Sequence, residues 1–325
     1  MAAALSEAEL LALVDALADG DWHSGETLAA GFGITRAALS KRVERLREWA
    51  IGIESRQGLG YRLAAPLERL DANHLARAVP IRVAVAAVVD STNSRLLAAA
   101  ADDDPQALFA EMQTAGRGRR GRSWISPFGA KLYLSVAWSW AAWPPELSAL
   151  SLAVGVASAR ALEAHGIADV RLKWPNDLLV DDRKLGGILI EHRGEAGGSC
   201  RVVVGIGLNL SMAANQADAV TQAWINLDEA RARHGLPPVG RNAFASALLR
   251  ELHDVLQTFA IDGFSVMAAE WARFDATRDA RVRILNGEDV LEGVARGVDA
   301  SGALLIDASD GRHRIHAGEV SLRRA

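Results

Sequence analysis

A single cysteine, Cys200, stands among 325 residues. It excludes an intramolecular disulfide and a cysteine-based zinc cluster, and makes a reducing cytosol the expected compartment. The eight histidines are scattered, with no H-E-x-x-H or other metal-ligand spacing. No G-x-S-x-G turn offers a nucleophile elbow for Ser-His-Asp chemistry. Long apolar runs are missing too. The strongest, such as Val83 to Val89, fall far short of the ~20 residues that span a bilayer. Met1 to Gly20 is acidic and lacks the basic n-region of a signal peptide. The expectation is a cytoplasmic protein with no membrane partner. The formal net charge is only −4, so any contact with nucleic acid must come from a local patch.

The most informative segment is Gly116-Arg117-Gly118-Arg119-Arg120-Gly121-Arg122. Glycine lets a backbone bend sharply and approach a ligand closely. Arginine adds a permanently charged planar fork that fits carboxylate and phosphate oxygens. A loop built from both is suited to holding an anion. The run also matches G-x-G-x-x-G, but a dinucleotide fingerprint needs a helix opening inside the motif. Ala107 to Gln113 reads as the strand before it. After it, Pro127 and Gly129 break any helix, and Lys131 to Trp140 alternates like another strand. A solvated basic loop is the plainer alternative; the interleaved glycines and the flanking Gln113 weigh against it.

Half the residues are apolar and 23% are charged, ordinary for a globular chain long enough for two or three domains. Residues 1–64 read as a small helical domain closed by a hairpin. Leu10, Leu13, Val14 and Leu17 recur at helical spacing, and Gly20-Asp21 ends that helix. Ser24 with Glu26 opens a second helix, stopped by Gly31-Phe32-Gly33. Thr35 caps a third, in which Leu39, Val43, Leu46 and Trp49 form one buried face. Its other faces carry Arg36, Ser40, Lys41, Arg42, Arg45 and Arg47. Two helices joined by a tight glycine turn, the second basic, form the helix-turn-helix pattern. Ile51 to Arg62 adds two short strands around Gly58, with Arg56 and Arg62 as a basic wing. From Arg36 to Arg62 seven basic residues face three acidic ones, a local excess that fits phosphate contacts. An amphipathic helix whose polar side happens to be basic would look the same.

Residues 66–272 read as strands at 82–89, 107–113, 131–140, 170–174, 177–180, 184–192 and 201–210. Helices are expected over Arg95 to Ala101, from Glu146 to His165, and near 241–260 and 264–274. This order suggests a mixed sheet with helices on one side, hence an α/β (α+β) fold. Residues 276–325 show short strands and turn signals at Asn286-Gly287, Asp299 to Gly302 and Asp310-Gly311, the pattern of a small β-barrel.

Three further constellations sit in the central segment. Asp90-Ser91-Thr92-Asn93 follows a strand and precedes a helix, where it can cap the helix or donate to a ligand. Lys173-Trp174-Pro175-Asn176-Asp177 projects an amide and a carboxylate at a strand break, with Pro175 biasing Trp174 to be extended. Shortly after it, Lys184 stands before Gly186 and Gly187 as a compact charge, or as a lysine keeping an edge strand soluble. Gly205 and Gly207, two apart, leave one strand face bare, so something else should pack there, with Asn209 pointing into the space. Trp224 lies in a later loop. Arginines and a lysine around an anion suit attack on an α-phosphate, where positioning and electrostatics supply most of the rate.

Together these motifs resemble biotin protein ligases, specifically the bifunctional BirA type that is also the biotin operon repressor. They are DSTN (90–93), QTAGRGRRGRSW (113–124), SPFGAKLYLS (126–135), KWPNDLL (173–179), RKLGGILIE (183–191), GIGLNL (205–210) and QAWINL (222–227). SGETLAAGFGITRAALSKRVERLREW (24–49) is similar to the DNA-binding domain of that type. The resemblance implies a winged helix-turn-helix, a biotin/lipoate ligase-like catalytic domain and an SH3-like C-terminal barrel. It also implies formation of biotinyl-5′-AMP from biotin and ATP with Mg2+, then transfer of biotin to a lysine of a biotin carboxyl carrier protein. On that basis Ser91, Thr92, Asn93, Gln113, Arg117, Gly118, Arg119 and Lys184 would hold biotin, with Arg119 and Lys184 catalytic. Arg117, Arg119, Arg122, Lys173, Asn176, Asp177, Asn209 and Trp224 would hold ATP or the adenylate, Asp177 being the candidate magnesium ligand. Arg36, Ser40, Lys41, Arg42, Arg45 and Arg56 would meet operator DNA, and the adenylate would promote a homodimer. A ligase with a non-regulatory N-terminal domain is the alternative. A pure DNA-binding regulator is disfavoured by the intact arginine loop with Lys184, and lipoate ligases, which share the fold, by the GRGRRGR run.

Overall fold

The computed structural model describes residues 5–99, 104–194, 198–212, 222–286, 289–316 and 320–324. At the N-terminus, α1 (Glu7–Ala16) starts in a capping box between Ser6 and Glu9. Helix α2 (Gly25–Gly31) is capped by Ser24 and α3 (Arg36–Glu48) by Thr35, the residues the sequence marks for that task. The hairpin β1 (Ile53–Arg56) and β2 (Gly60–Leu63) follows as a wing. Leu13, Val14, Leu17, Leu39, Val43 and Leu46 are buried between these elements, as their helical spacing requires.

The central sheet is mixed, in the order β3-β4-β5-β9-β8-β7-β6. Its strands are β3 (Arg82–Val89), β4 (Gln106–Gln113), β5 (Lys131–Trp140), β6 (Arg171–Lys173), β7 (Asp177–Val180), β8 (Arg183–Arg193) and β9 (Cys200–Asn209). Only β3 and β4 run parallel; every other neighbouring pair is antiparallel. Around it lie α4 (Ala72–Ala76), α5 (Thr92–Ala98), α6 (Leu150–Ala164), α7 (Leu227–Arg233), α8 (Arg241–Asp262) and α9 (Ala268–Phe274).

The helices do not all lie on one side. Leu132, Leu134 and Val136 of β5 join α6 and α8 in the main core. Their neighbours alternate to the other face, where Ala137 packs with Val203 of β9 and Leu96 of α5. A seven-residue helix hid that second layer from the sequence. Helix α5 ends at Ala98, and residues 100 and 101 of the expected helix lie outside the described residues. The helix expected from Glu146 opens as a 3-10 turn over Leu147–Ala149 before α6. Among the described residues only Leu147–Ala164 is long and apolar enough to cross a membrane. Its helix buries nine side chains in the main core, the behaviour of a core helix.

The C-terminal unit is a five-stranded antiparallel sheet, in the order β13-β12-β11-β10-β14. Its strands are β10 (Arg281–Asn286), β11 (Asp289–Val298), β12 (Leu304–Ala308), β13 (Gly311–Ile315) and β14 (Val320–Arg324). Among the described residues its edge strands β13 and β14 are not paired with each other. Gly287 of the expected turn lies outside the described residues, but Asn286 and Asp289 pair on either side of it. Val282, Ile284, Leu304 and Ile306 belong to the central core.

The segment that follows the N-terminal unit touches it through the Leu67 amide on the Ala18 carbonyl and through Arg69 on Asp15, and is clasped in turn to α8 and β4. The Arg241 guanidinium donates to the Glu68 carbonyl (2.7 Å), and Asn242 donates to Glu68 and to the Arg69 carbonyl (2.8 Å each). Buried Glu111 accepts the Leu70 amide at 2.7 Å and lies 2.8 Å from Arg241 as an ion pair.

Candidate active site and DNA-facing surface

The bare strand face of β9 is where the site is built. A Cβ on Gly205 would stand 2.2 Å from Asn93 Oδ1, and one on Gly207 would stand 2.6 Å from Trp124 Nε1. The glycines therefore admit α5 and the segment after the arginine loop onto the sheet. Beside them opens a cleft of about 660 Å³, in the range of small-molecule sites. All fourteen residues expected to hold biotin or nucleotide line it: Ser91, Thr92, Asn93, Gln113, Arg117, Gly118, Arg119, Arg122, Lys173, Asn176, Asp177, Lys184, Asn209 and Trp224.

At one end the Gln113 side-chain oxygen accepts from the Thr92 amide (2.8 Å) and hydroxyl (3.2 Å), while its amide nitrogen donates to Ser126 at 3.2 Å. Ser91 Oγ accepts the Ser94 amide as the cap of α5, which leaves its hydrogen to donate. Asn93 is more committed. Its oxygen accepts from Ser135 (2.5 Å), and its nitrogen donates to the Leu189 carbonyl and to Glu191. These bonds fix α5 against the sheet and leave the second lone pair of the Asn93 oxygen as its remaining hydrogen-bonding capacity.

The arginine loop folds over this end. Gly118 donates to the Arg122 carbonyl at 2.7 Å, and the turn runs through Arg120 and Gly121 at φ of 58° and 69°. Arg117 pairs with Glu191 at 2.6 Å. Arg119 donates to Asn176 Oδ1 at 3.2 Å, and Asn176 donates to the Ile188 carbonyl at 2.8 Å. Burial holds the Arg119 guanidinium below its ordinary range, opposed by the charge of Asp177. Lys184 Nζ lies 2.7 Å from Asp177 Oδ1. The Lys184 backbone is also paired with the Trp224 segment: its amide donates to the Ala223 carbonyl and its carbonyl accepts from Ile225, at 3.0 Å each.

These features agree with the comparisons. Residues 85–209 match the Biotin/lipoate A/B protein ligase family, 280–323 the Biotin protein ligase C terminal domain, and 10–62 an HTH domain. The bifunctional ligase/repressor BirA of Salmonella typhimurium is 40% identical over 317 residues, covering 97% of this chain and 98% of that protein. Its Escherichia coli counterpart is 39% identical, covering 97% of each chain. The chain belongs to the BirA family. Among solved structures, the biotin protein ligase of Aquifex aeolicus in complex with biotin and ATP superposes with a TM-score of 0.62 at 28% identity. It covers 75% of this chain and 99% of that one.

Within this BirA-family site, the structure adds residues that the sequence reading passed over. Trp124 lies against Gly207, Glu191 receives both Arg117 and Asn93, and Lys131 reaches the cleft from β5. Glu191 is invisible locally because it enters the site through strand pairing over a long sequence distance. A better signal was present for Lys131, the only charge in the ten-residue strand Lys131–Trp140.

On the DNA-facing side one expectation is corrected. Arg42 is buried, pairs with Glu9 and lies 5.6 Å from the Phe32 ring centroid, so it braces α3 against α1 and does not face solvent. Arg36 and Lys41 are exposed on α3, Ser40 is partly exposed, and Arg56 is exposed on the wing. Arg45 is exposed but paired with Glu48.

Proposed function

We propose that this chain activates biotin with ATP and transfers it to a carrier-protein lysine, and that its N-terminal domain reads operator DNA in response to the adenylate. The observation that carries the reading is the single cleft in which Lys184, Arg119 and Asp177 converge beside the Ser91–Gln113 pocket. We assign residues 1–64 to DNA binding, 66–272 to catalysis and 276–325 to a C-terminal domain packed on the catalytic core.

Biotin's ureido group has two N–H donors and a carbonyl acceptor, and the Ser91, Thr92 and Gln113 end of the cleft supplies matching groups. The biotin carboxylate oxygen forms a bond to the α-phosphorus as the bond to the β-phosphate oxygen breaks and pyrophosphate leaves. Negative charge gathers on the α-phosphoryl oxygens at that moment. Lys184 swings from Asp177 to meet it, joined by Arg119 and Arg122 from the loop. Arg117 and Gly118 close over the biotin carboxyl, and Lys173 and Asn176 frame the nucleotide. Trp224 supplies an apolar face for adenine, and Asn209 a buried amide oxygen without a partner. In the second step the carrier lysine's neutral amine attacks the acyl carbon, AMP leaves, and the amine's surplus proton passes to solvent.

Magnesium fits through a minimal protein donor set. Among the described residues no three His, Cys, Asp or Glu side chains cluster, so Asp177's second oxygen together with nucleotide phosphates would hold it, the usual way this ion binds. When bound it neutralises phosphate charge.

For DNA, Arg36, Ser40 and Lys41 on α3 with Arg56 on the wing form the proposed phosphate- and base-contacting face, Arg45 at its margin. We place the reaction in the cytosol and propose a homodimer through the central sheet on adenylate binding, which sedimentation with and without biotin plus ATP would read. The test of the enzymatic reading is biotin-dependent formation of labelled adenylate from ATP, and Lys184→Ala. The substitution should leave the fold intact and slow adenylation at least ~10²-fold, the scale for losing a charge-stabilising group; near-wild-type turnover would refute the assignment.

A further inference from the structure

Lys131 opens β5 at the floor of the cleft and is 2% exposed. Its Nζ lies 4.5 Å from the Trp124 ring centroid, and Lys184 Nζ lies 5.5 Å from the same ring. The charged neighbours on surrounding elements are Lys184 of β8, paired with Asp177 of β7, and Arg241 of α8. Arg241 reaches the Lys131 carbonyl at 3.3 Å and is itself paired with Glu111 of β4. Among the described residues no carboxylate acts on the Lys131 ammonium. Loss of water and the like charge of Lys184 push its pKa down to about 7.

A buried ammonium without a counter-charge is unfavourable, and proteins retain one where a ligand brings the missing charge. Two other polar groups beside it also lack partners. Asn209 pairs with Lys131 across β5 and β9, and its Oδ1 is buried without a hydrogen bond, as is Trp124 Nε1. One orphan is an acceptor and the other a donor. A ribose 5′-phosphate supplies a hydroxyl donor, oxygen acceptors and a negative charge in one unit; biotin's rings carry no such charge.

We infer that Lys131 is a second phosphate-binding cation of this site, directed at the α-phosphate that biotinyl-AMP retains. The inference rests on the ligase reading above. Lys184, held by Asp177, is the cation free to move as charge develops. Lys131, fixed by the strand and by Trp124, receives the phosphate. Anion binding raises the lysine's proton affinity, so adenylate binding above neutral pH takes up a proton.

The test compares the full-length wild type, Lys131→Met and Lys131→Arg for binding of biotin and of biotinyl-5′-AMP. Calorimetry at about pH 8, in two buffers of different ionisation enthalpy, reads the proton uptake. The methionine variant should bind biotin as the wild type does and biotinyl-AMP about tenfold or more weakly, as expected for losing one charge-assisted contact. It should lose the proton uptake and not melt earlier, and arginine should restore part of the affinity. Wild-type adenylate affinity with undiminished proton uptake in Lys131→Met would overturn the inference. So would an equal loss for biotin and adenylate with a lowered melting temperature, which marks a structural lysine. If the wild type itself binds neither biotin nor biotinyl-AMP, the ligase reading fails with it.

Discussion

Trp49, the residue that ends α3, stacks on Phe128, six residues beyond the arginine loop: the ring centroids are 5.7 Å apart and the planes 14° from parallel. Phe128 belongs to the same buried cluster as Leu39, Val43 and Leu46. The DNA-facing helix and the segment that follows the arginine loop thus share one hydrophobic contact. Trp49→Ala removes a stack worth ~0.5–1.5 kcal/mol beyond its burial. The N-terminal domain should then detach more often, seen as faster proteolysis between residues 64 and 70, while carrier biotinylation stays within about twofold of wild type. Unchanged proteolysis would mean that the Arg69–Asp15 and Leu67–Ala18 contacts hold the domains without the stack.

Arg119 is tied to Asn176, and through it to β8, and in the proposed site it latches the loop over the ligand. Arg119→Gly should let biotinyl-AMP escape into solution, labelling bystander amines in a mixed-protein assay. Retention of adenylate equal to wild type would remove the lid role.

Gly207→Ala places a methyl group 2.6 Å from Trp124 Nε1, closer than the two can stand. Over-packing of this kind costs about 1–3 kcal/mol, and the indole must shift from its place beside both lysines. The expected outcome is a lower melting temperature together with slower adenylation. Tryptophan fluorescence identical to wild type in the variant would contradict the geometry.

Stability should depend on pH through Lys131. Its folded pKa is about 7 against an ordinary 10.5, so between those values the unfolded chain binds a proton that the folded chain does not. The penalty is absent above the unfolded value, grows as pH falls through the window and is complete below about 7. Lys131→Met should therefore exceed wild type in melting temperature by most near pH 6–7, with the gap closing as pH rises toward the ordinary lysine value. A gap independent of pH would show that Lys131 is not held in that state.

The sequence made the local features legible because local physics sets them. Ser24, Thr35 and Ser91 cap helices with their own side chains, and the alternation of β5 announces its two faces. The vacancy at Gly205 and Gly207 was readable as well, although not what would fill it. Pairings between distant segments were not legible. Lys131 beside Asn209, Glu191 under Arg117, and Trp49 on Phe128 join residues whose proximity depends on strand order and domain placement. Arg42 misled for the same reason: a basic residue on a basic helix looks exposed until Glu9 and Phe32 of neighbouring elements bury it.

The central claim is one chain that makes biotinyl-AMP and uses it both to modify a carrier and to bind DNA. Its most direct test is operator capture: full-length protein with genomic fragments at physiological salt, with or without biotin and ATP, and then with carrier protein added. The account predicts biotin- and ATP-dependent retention of a palindromic site, released as the carrier becomes biotinylated, with retention weakened in Arg36→Ala and Lys41→Ala across all sequences. Retention that ignores biotin and ATP, or carrier labelling with no specific DNA retained, would contradict it.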